Sequence, residues 1–179
     1  EIIIKMAKDA LTAGKKVQAS VQSAFGCGFE GDIDEEKVFA IIKEYLNAGI
    51  NTISLADTAG YANPLKVERM FEQIHSLDNN IVTACHFHNT FGMGMANVYA
   101  AYKSGVKIFE TAFGGLGGCP FTKVAAGNVA TEDVVTMFQE MGLRKDIDLN
   151  RLKSVPKYAS GFLIKDLPGL TYKLGGIKH

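Results

Sequence analysis

Extended and helical patterns alternate four times along this chain, and that alternation constrains the fold more than any single residue does. Residues 17–24, 50–56, 81–87 and 106–112 are short apolar runs bounded by turn residues, as strands are. Between them the apolar positions switch to helical spacing. Val38, Ile41, Ile42, Tyr45 and Leu46 lead to Gly49, and Leu65, Val67, Met70, Phe71 and Ile74 follow Asn63-Pro64. Residues 95–103 form a third helical run, stopped by Gly105. Asp32 with Glu35 can form a capping box, and Asn63 places a capping residue before a first-turn proline. Thr131 is expected to cap a last helix running through Val134, Val135, Phe138 and Met141 to Gly142. The helix–loop–strand junctions at 46–50 and 102–106 resemble one another, as repeated units would.

Strands joined by helical crossovers run parallel. A doubly wound sheet and a (β/α)8 barrel both fit that pattern, but no G-x-G-x-x-G follows the first strand. Cys27, Asp57, His86, His88 and Cys119 all fall at or just beyond the C-terminal end of a strand, where barrel enzymes place their chemistry. A whole barrel needs about 250 residues, so four units make half of one. The expected architecture is therefore α/β, the C-terminal half of a TIM (β/α)8 barrel over residues 1–142. A short helix near 149–158 and an irregular tail are expected within 143–179. The first residues, Glu1-Ile2-Ile3-Ile4, read as the middle of a helix ending at Gly14, without signal- or transit-peptide character. The chain is thus expected to be the later part of something larger.

Composition removes several partner classes. Nineteen Lys and Arg balance nineteen Asp and Glu, and no local basic run offers a field for nucleic acid or an anionic membrane. The apolar runs fall short of a membrane span. Three cysteines are too few and odd in number for a disulfide scaffold, which favours a reducing compartment.

His86 and His88 are the sharpest chemical signal. Side chains two apart on a strand share a face, so the two imidazoles stand together, suited to a divalent metal or to direct catalysis. Downstream lies Gly114-Gly115-Leu116-Gly117-Gly118-Cys119-Pro120, then Gly127-Asn128, whose amide oxygen can complete a coordination set. The glycines suggest a mobile loop carrying the Cys119 thiol onto a substrate, with proton transfer as its role. Asp57 can start the turn before Gly60, but its place at a strand end favours a site role. Cys27 is a weaker candidate. Cys85 points away from His86 and reads as core, Asn97 reads as a local helix residue, and His75 as solvent-facing.

With these residues in view, the chain resembles 3-hydroxy-3-methylglutaryl-CoA lyase, within the metal-dependent lyase and acyltransferase barrel superfamily. The likeness runs from residue 17 to residue 142 and is most specific over 114–120 and 127–133. It implies cleavage of a 3-hydroxy-3-methylglutaryl-CoA thioester to acetyl-CoA and acetoacetate with Mg2+ or Mn2+ bound. Residue by residue, His86, His88 and Asn128 match the family's metal ligands and Cys119 its loop cysteine. Asp57 matches an active-site aspartate, and Glu132 an acidic residue after the loop. Catalysis is accordingly expected from Cys119, His86 and Asp57. Asn89 stands where an aspartate is usual, and the family's first-strand arginine and metal-ligating aspartate have no counterpart in this sequence. An acyl-CoA substrate, a homodimer of the full-length protein, and a cytoplasmic or mitochondrial-matrix location are further implications. A lyase for another 3-hydroxyacyl-CoA, an acyl-transferring synthase (disfavoured by Cys119) and a non-catalytic metal-binding barrel piece are the rival readings.

Overall fold

The structure, a computed structural model, describes residues 2–118 and 127–177. The expected alternation is present. Helix α1 (Ile2–Thr12) precedes β1 (Gln18–Val21), α2 (Glu35–Asn47), β2 (Thr52–Asp57), α3 (Pro64–Leu77), β3 (Val82–Phe87), α4 (Gly94–Lys103) and β4 (Ile108–Glu110). A 3₁₀ turn (Phe113–Gly115), α5 (Thr131–Glu140), α6 (Leu149–Leu163) and α7 (Thr171–Leu174) follow. The strands form one parallel sheet in the order β1-β2-β3-β4, as consecutive β/α units of a barrel must.

Register divides the sheet into two unlike faces. The row Ala19, Ile53 and Thr83 and the next row on the same face, Val21, Leu55 and Cys85, turn toward the helices, where they are buried. There they join Phe25, Ile42, Met70, Phe71, Ile74 and Phe87, all at most 1% exposed, in a single core. The other face carries Gln18, Ser54, His86 and Glu110, and its outer apolar members Val82 and Ile108 are each 37% exposed. The helix side is thus an apolar buried layer, whereas the polar face is partly exposed in this chain.

Local chemistry explains where the elements begin. Asp34, not Asp32, caps α2, its Oδ1 accepting from Glu36 N at 2.9 Å. Asp32 is drawn off by Lys66 Nζ at 3.0 Å, so the expected capping box does not form. Asn63 caps α3 as expected, accepting from Lys66 N at 3.0 Å with Pro64 in the first turn. Thr131 opens α5 rather than capping it, because its hydroxyl bonds Thr111 Oγ1 at 2.8 Å instead. β1 ends at Val21, short of the expected residue 24, since Ser23 takes a left-handed φ of 53°. Among the described residues no helix is long and apolar enough to cross a membrane.

The tail is more ordered than its Pro-Gly and Gly-Gly pairs suggest. α6 is a helix of fifteen residues, and the following segment docks on the end of the sheet. Leu167 is fully buried, and a Cβ at Gly114 would lie 2.5 Å from its Cδ1. Gly169 N donates to Gly114 O at 3.0 Å, and the Asp133 carboxylate accepts from Leu170 N and Thr171 N, which starts α7. The expected irregular tail is thereby corrected: α5 supplies the carboxylate, and the glycine turn supplies the groove. Leu167→Ala in the full-length protein should lower unfolding free energy by about 2–5 kcal/mol. A denaturant midpoint unchanged by this substitution would mean that the tail's docking contributes nothing to stability.

Candidate metal and active site

Parallel register places His86 beside Ala56 on β2 and Glu110 on β4, all directed to the open face. His88, just past the end of β3, is 7% exposed, and its ring stands edge-on to His86 with centroids 5.2 Å apart. The expected pairing of these imidazoles on one face is what the period of two produces.

Asn128 reaches them through the backbone. Asn89 N donates to Gly127 O at 3.0 Å and Val129 N to Phe87 O at 3.1 Å, an antiparallel bridge that sets Asn128 opposite His88. The approach demands glycine. A Cβ at Gly127 would sit 1.6 Å from Gly115 O, and one at Gly117 would sit 2.5 Å from Asn128 Nδ2. Gly117 also has a φ of 101°, which side chains rarely adopt. Gly114, Gly115, Gly117 and Gly127 thus permit close packing that a side chain would block. Asn128 Nδ2 donates to Leu116 O at 2.8 Å, which fixes the amide's orientation and leaves Oδ1 buried without a hydrogen-bond partner among the described residues.

This arrangement fits a hard divalent cation. A buried amide oxygen lacking a donor is costly unless something positive meets it. Two imidazoles bound at neighbouring positions of one ion, through bonds of about 2.1 Å, would hold their ring centres roughly 5 Å apart. Burial, and next to it the adjacent His88, hold the His86 imidazole below its usual pKa, with Glu110 pulling the other way. It is therefore neutral at neutral pH, with a lone pair to offer. Among the described residues no three His, Cys, Asp or Glu side chains could hold an ion by themselves, so the fit rests on two imidazoles and an amide.

Other expected residues fare differently. Asp57 pairs in register with Phe87, on the face opposite His86, and is fully buried. Its Oδ1 accepts from Tyr61 N at 2.7 Å and Ala62 N at 3.1 Å, so this carboxylate anchors the loop between β2 and α3. The parity of β2 turns Asp57 to the side of the sheet opposite His86. Cys119 lies outside the described residues. Cys27 is half-buried in a tight loop closed by paired backbone bonds to Gly31. Cys85 is core as expected, and burial pushes its thiol well above the usual range. Asn97 bonds across to Ala62 O at 3.0 Å rather than locally, and His75 Nε2 meets Thr83 Oγ1 at 3.1 Å rather than solvent. Asn89 Oδ1 accepts from Gly94 N at 2.9 Å and so anchors the start of α4.

Glu132 and Glu110 carry more than the sequence reading gave them. Glu132 is fully buried, its Oε2 accepting from Gly114 N at 3.0 Å, and burial raises its pKa. It ties α5 to the glycine turn. Glu110 Oε1 accepts from Gln18 Nε2 at 2.7 Å and Ser54 Oγ at 2.8 Å, and its Oε2 lies 3.7 Å from His86 Nδ1. Strand parity was the available signal, since Glu110 shares the face of the strand that register assigns to His86.

Fold and site together define a protein of the β/α-barrel class, half a barrel with His86, His88 and Glu110 at or just past the C-terminal ends of its strands. The chain belongs to the HMGL-like family, whose model matches residues 1–158. It is 37% identical over 174 residues to the (R)-citramalyl-CoA lyase of Chloroflexus aurantiacus, covering 97% of this chain and 54% of that protein. To the hydroxymethylglutaryl-CoA lyase YngG of Bacillus subtilis it is 35% identical over 167 residues, covering 93% and 56% respectively. Among solved structures, an HMG-CoA lyase from Acinetobacter baumannii in complex with coenzyme A and 3-methylmalate matches with a TM-score of 0.90 at 41% identity. That match covers 97% of this chain and 57% of the other. The chain thus spans about half the length of these relatives.

The Asp57 placement has a pH consequence. Burial raises its carboxyl to a pKa of about 6, against the backbone N–H groups of Ala62, Tyr61 and Gly60 and the charge of Lys66. The folded chain keeps this proton up to about pH 6, whereas an unfolded aspartate releases it near about pH 4. Across that window the folded state binds more protons, so this residue's contribution falls as pH rises and stays lower above it. Asp57→Asn should therefore gain stability relative to wild type between about pH 4 and about pH 7.5, on the order of 2–3 kcal/mol. Urea unfolding of both proteins at the two pH values measures this. A difference independent of pH would show that Asp57 ionises without penalty.

Proposed function

We propose that the full-length protein is a divalent-metal-dependent carbon–carbon lyase acting on a 3-hydroxyacyl-CoA, with 3-hydroxy-3-methylglutaryl-CoA as the first substrate to test. The observation that carries this reading is the buried, donorless Oδ1 of Asn128 set by backbone pairing against His88. Family membership gives it its chemical context.

Cleavage requires three events. The tertiary hydroxyl loses its proton, the bond between C2 and C3 breaks as the C3–O bond becomes a carbonyl, and C2 of the departing thioester enolate gains a proton. The products are acetoacetate and acetyl-CoA, and the proton count balances. A bound Mg2+ or Mn2+ would lower the cost of the developing alkoxide. His86, His88 and Asn128 would hold that ion, the histidines through neutral nitrogens and the asparagine through Oδ1. The tight turn over 113–117 fixes Asn128 and starts the segment that leads to Cys119. Cys119 is assigned as the acid that protonates the enolate carbon.

The range of relatives widens the substrate list. The Chloroflexus protein bears the name of a lyase for (R)-citramalyl-CoA, which supports including that thioester as a second substrate. The full-length protein should cleave one of the two thioesters with Mn2+ or Mg2+ supplied, and lose turnover in EDTA. Full activity in a demetallated, chelator-treated sample would end the metal-dependent reading. Cys119→Ala should lower kcat by about 10²–10⁴, the range for losing a general acid, while Mn2+ affinity stays constant. Turnover near wild type in that variant would assign Cys119 to the loop's structure alone.

A further inference from the structure

We infer that Glu110 is a positioning residue for the metal site: its carboxylate fixes His86 with the proton on Nδ1 and so presents Nε2 as the ligating atom. The inference rests on the proposal that His86 binds a metal.

Four strands contribute to this arrangement. Gln18 from β1 and Ser54 from β2 both donate to Glu110 Oε1, at 2.7 Å and 2.8 Å. Two donors on one oxygen fix the plane of the carboxylate and leave Oε2 as the free acceptor. Oε2 faces His86 Nδ1 on β3 at 3.7 Å, and the two residues are partners in the parallel register of β3 and β4. That separation exceeds a formed hydrogen bond, so the carboxylate acts on the ring through its charge at this distance. Among the described residues His86 is the one ion-pairing partner of Glu110, so its free oxygen faces imidazole rather than lysine or arginine.

The consequence follows from tautomer chemistry. A neutral imidazole carries one N–H, and an acceptor opposite Nδ1 draws the proton there. The lone pair then resides on Nε2. A carboxylate behind a ligating histidine also raises the basicity of that ring and limits its rotation. The span from Gln18 to Glu110 thus converts the sheet's register into the orientation of one ligand.

The test uses the full-length protein. In the metal-free wild type, nitrogen-15 NMR of the histidine side chains should find His86 protonated at Nδ1, with Nε2 bare. Glu110→Ala should shift His86 toward the Nε2–H form and weaken Mn2+ binding, read by electron paramagnetic resonance titration, by about 10–100-fold. Circular dichroism checks that the variant is folded. If Glu110→Ala does not fold, Glu110→Gln replaces it, retaining side-chain shape while weakening the acceptor, and the wild-type tautomer tests the inference without any variant. His86 found as the Nε2–H tautomer in the wild type would overturn the assignment, as would Mn2+ affinity unchanged in a folded variant. Those results differ from a failure of the metal reading itself, in which the wild type binds no Mn2+ at all.

Discussion

Two backbone hydrogen bonds decide where the chemistry can happen: Asn89 N to Gly127 O, and Val129 N to Phe87 O. They carry the chain back from the glycine turn to the end of β3, so that Asn128 and His88 become neighbours although forty residues separate them in sequence. The close approach of Gly127 to Gly115 O, and of Gly117 to the Asn128 amide, is possible only without side chains there. Beyond this contact the turn is braced from three directions. Glu132 holds Gly114 N from α5, Gly169 holds Gly114 O from the tail, and Leu167 fills the groove beside it. The tail is part of the site's support even though none of its residues is proposed as a ligand.

The second constraint is the parity of a parallel strand. One face buries a continuous apolar layer against the helices, and the other presents Gln18, Ser54, His86 and Glu110. These two demands meet at strand ends, where a one-residue change of position moves a side chain from chemistry to packing. His86 and Asp57 illustrate the rule. Both come at the C-terminal end of a strand, yet one faces the open side and the other anchors a loop on the helix side. Asp57 and Glu132 are fully buried carboxyls, each with one oxygen donorless among the described residues, and each holds the backbone that shapes a loop. Buried polar groups of this kind specify position at a cost in stability.

The alternation of strands and helices was legible because apolar spacing changes from two to 3.6 at each junction. The histidine pair was legible for the same reason. Asn128 was legible as an oxygen donor that could complete the histidines' coordination set, and the resemblance matched it to the same ligands. Contact across forty residues, however, leaves no periodic trace of the backbone bridge that brings it there. Glu110 escaped notice as the lone acidic residue of a short strand, although its parity marks it as inward-facing once the register is known. A strand-end position alone does not say which face a side chain takes, and parity sets Asp57 on the side opposite His86. A sequence does not distinguish a glycine needed for motion from one needed for close approach, and only the close approach is visible in the fold. His75 and Asn97 carry no sequence signal of their tertiary partners, Thr83 Oγ1 and Ala62 O.

The central claim is that His86, His88 and Asn128 converge on one ion. Anomalous diffraction at the manganese edge from crystals of the full-length protein grown with Mn2+ addresses it directly. The account predicts a single strong peak roughly 2.0–2.3 Å from a nitrogen of each histidine and from Asn128 Oδ1. A well-ordered peak bound elsewhere, with the Asn128 amide turned away from it, would contradict the account.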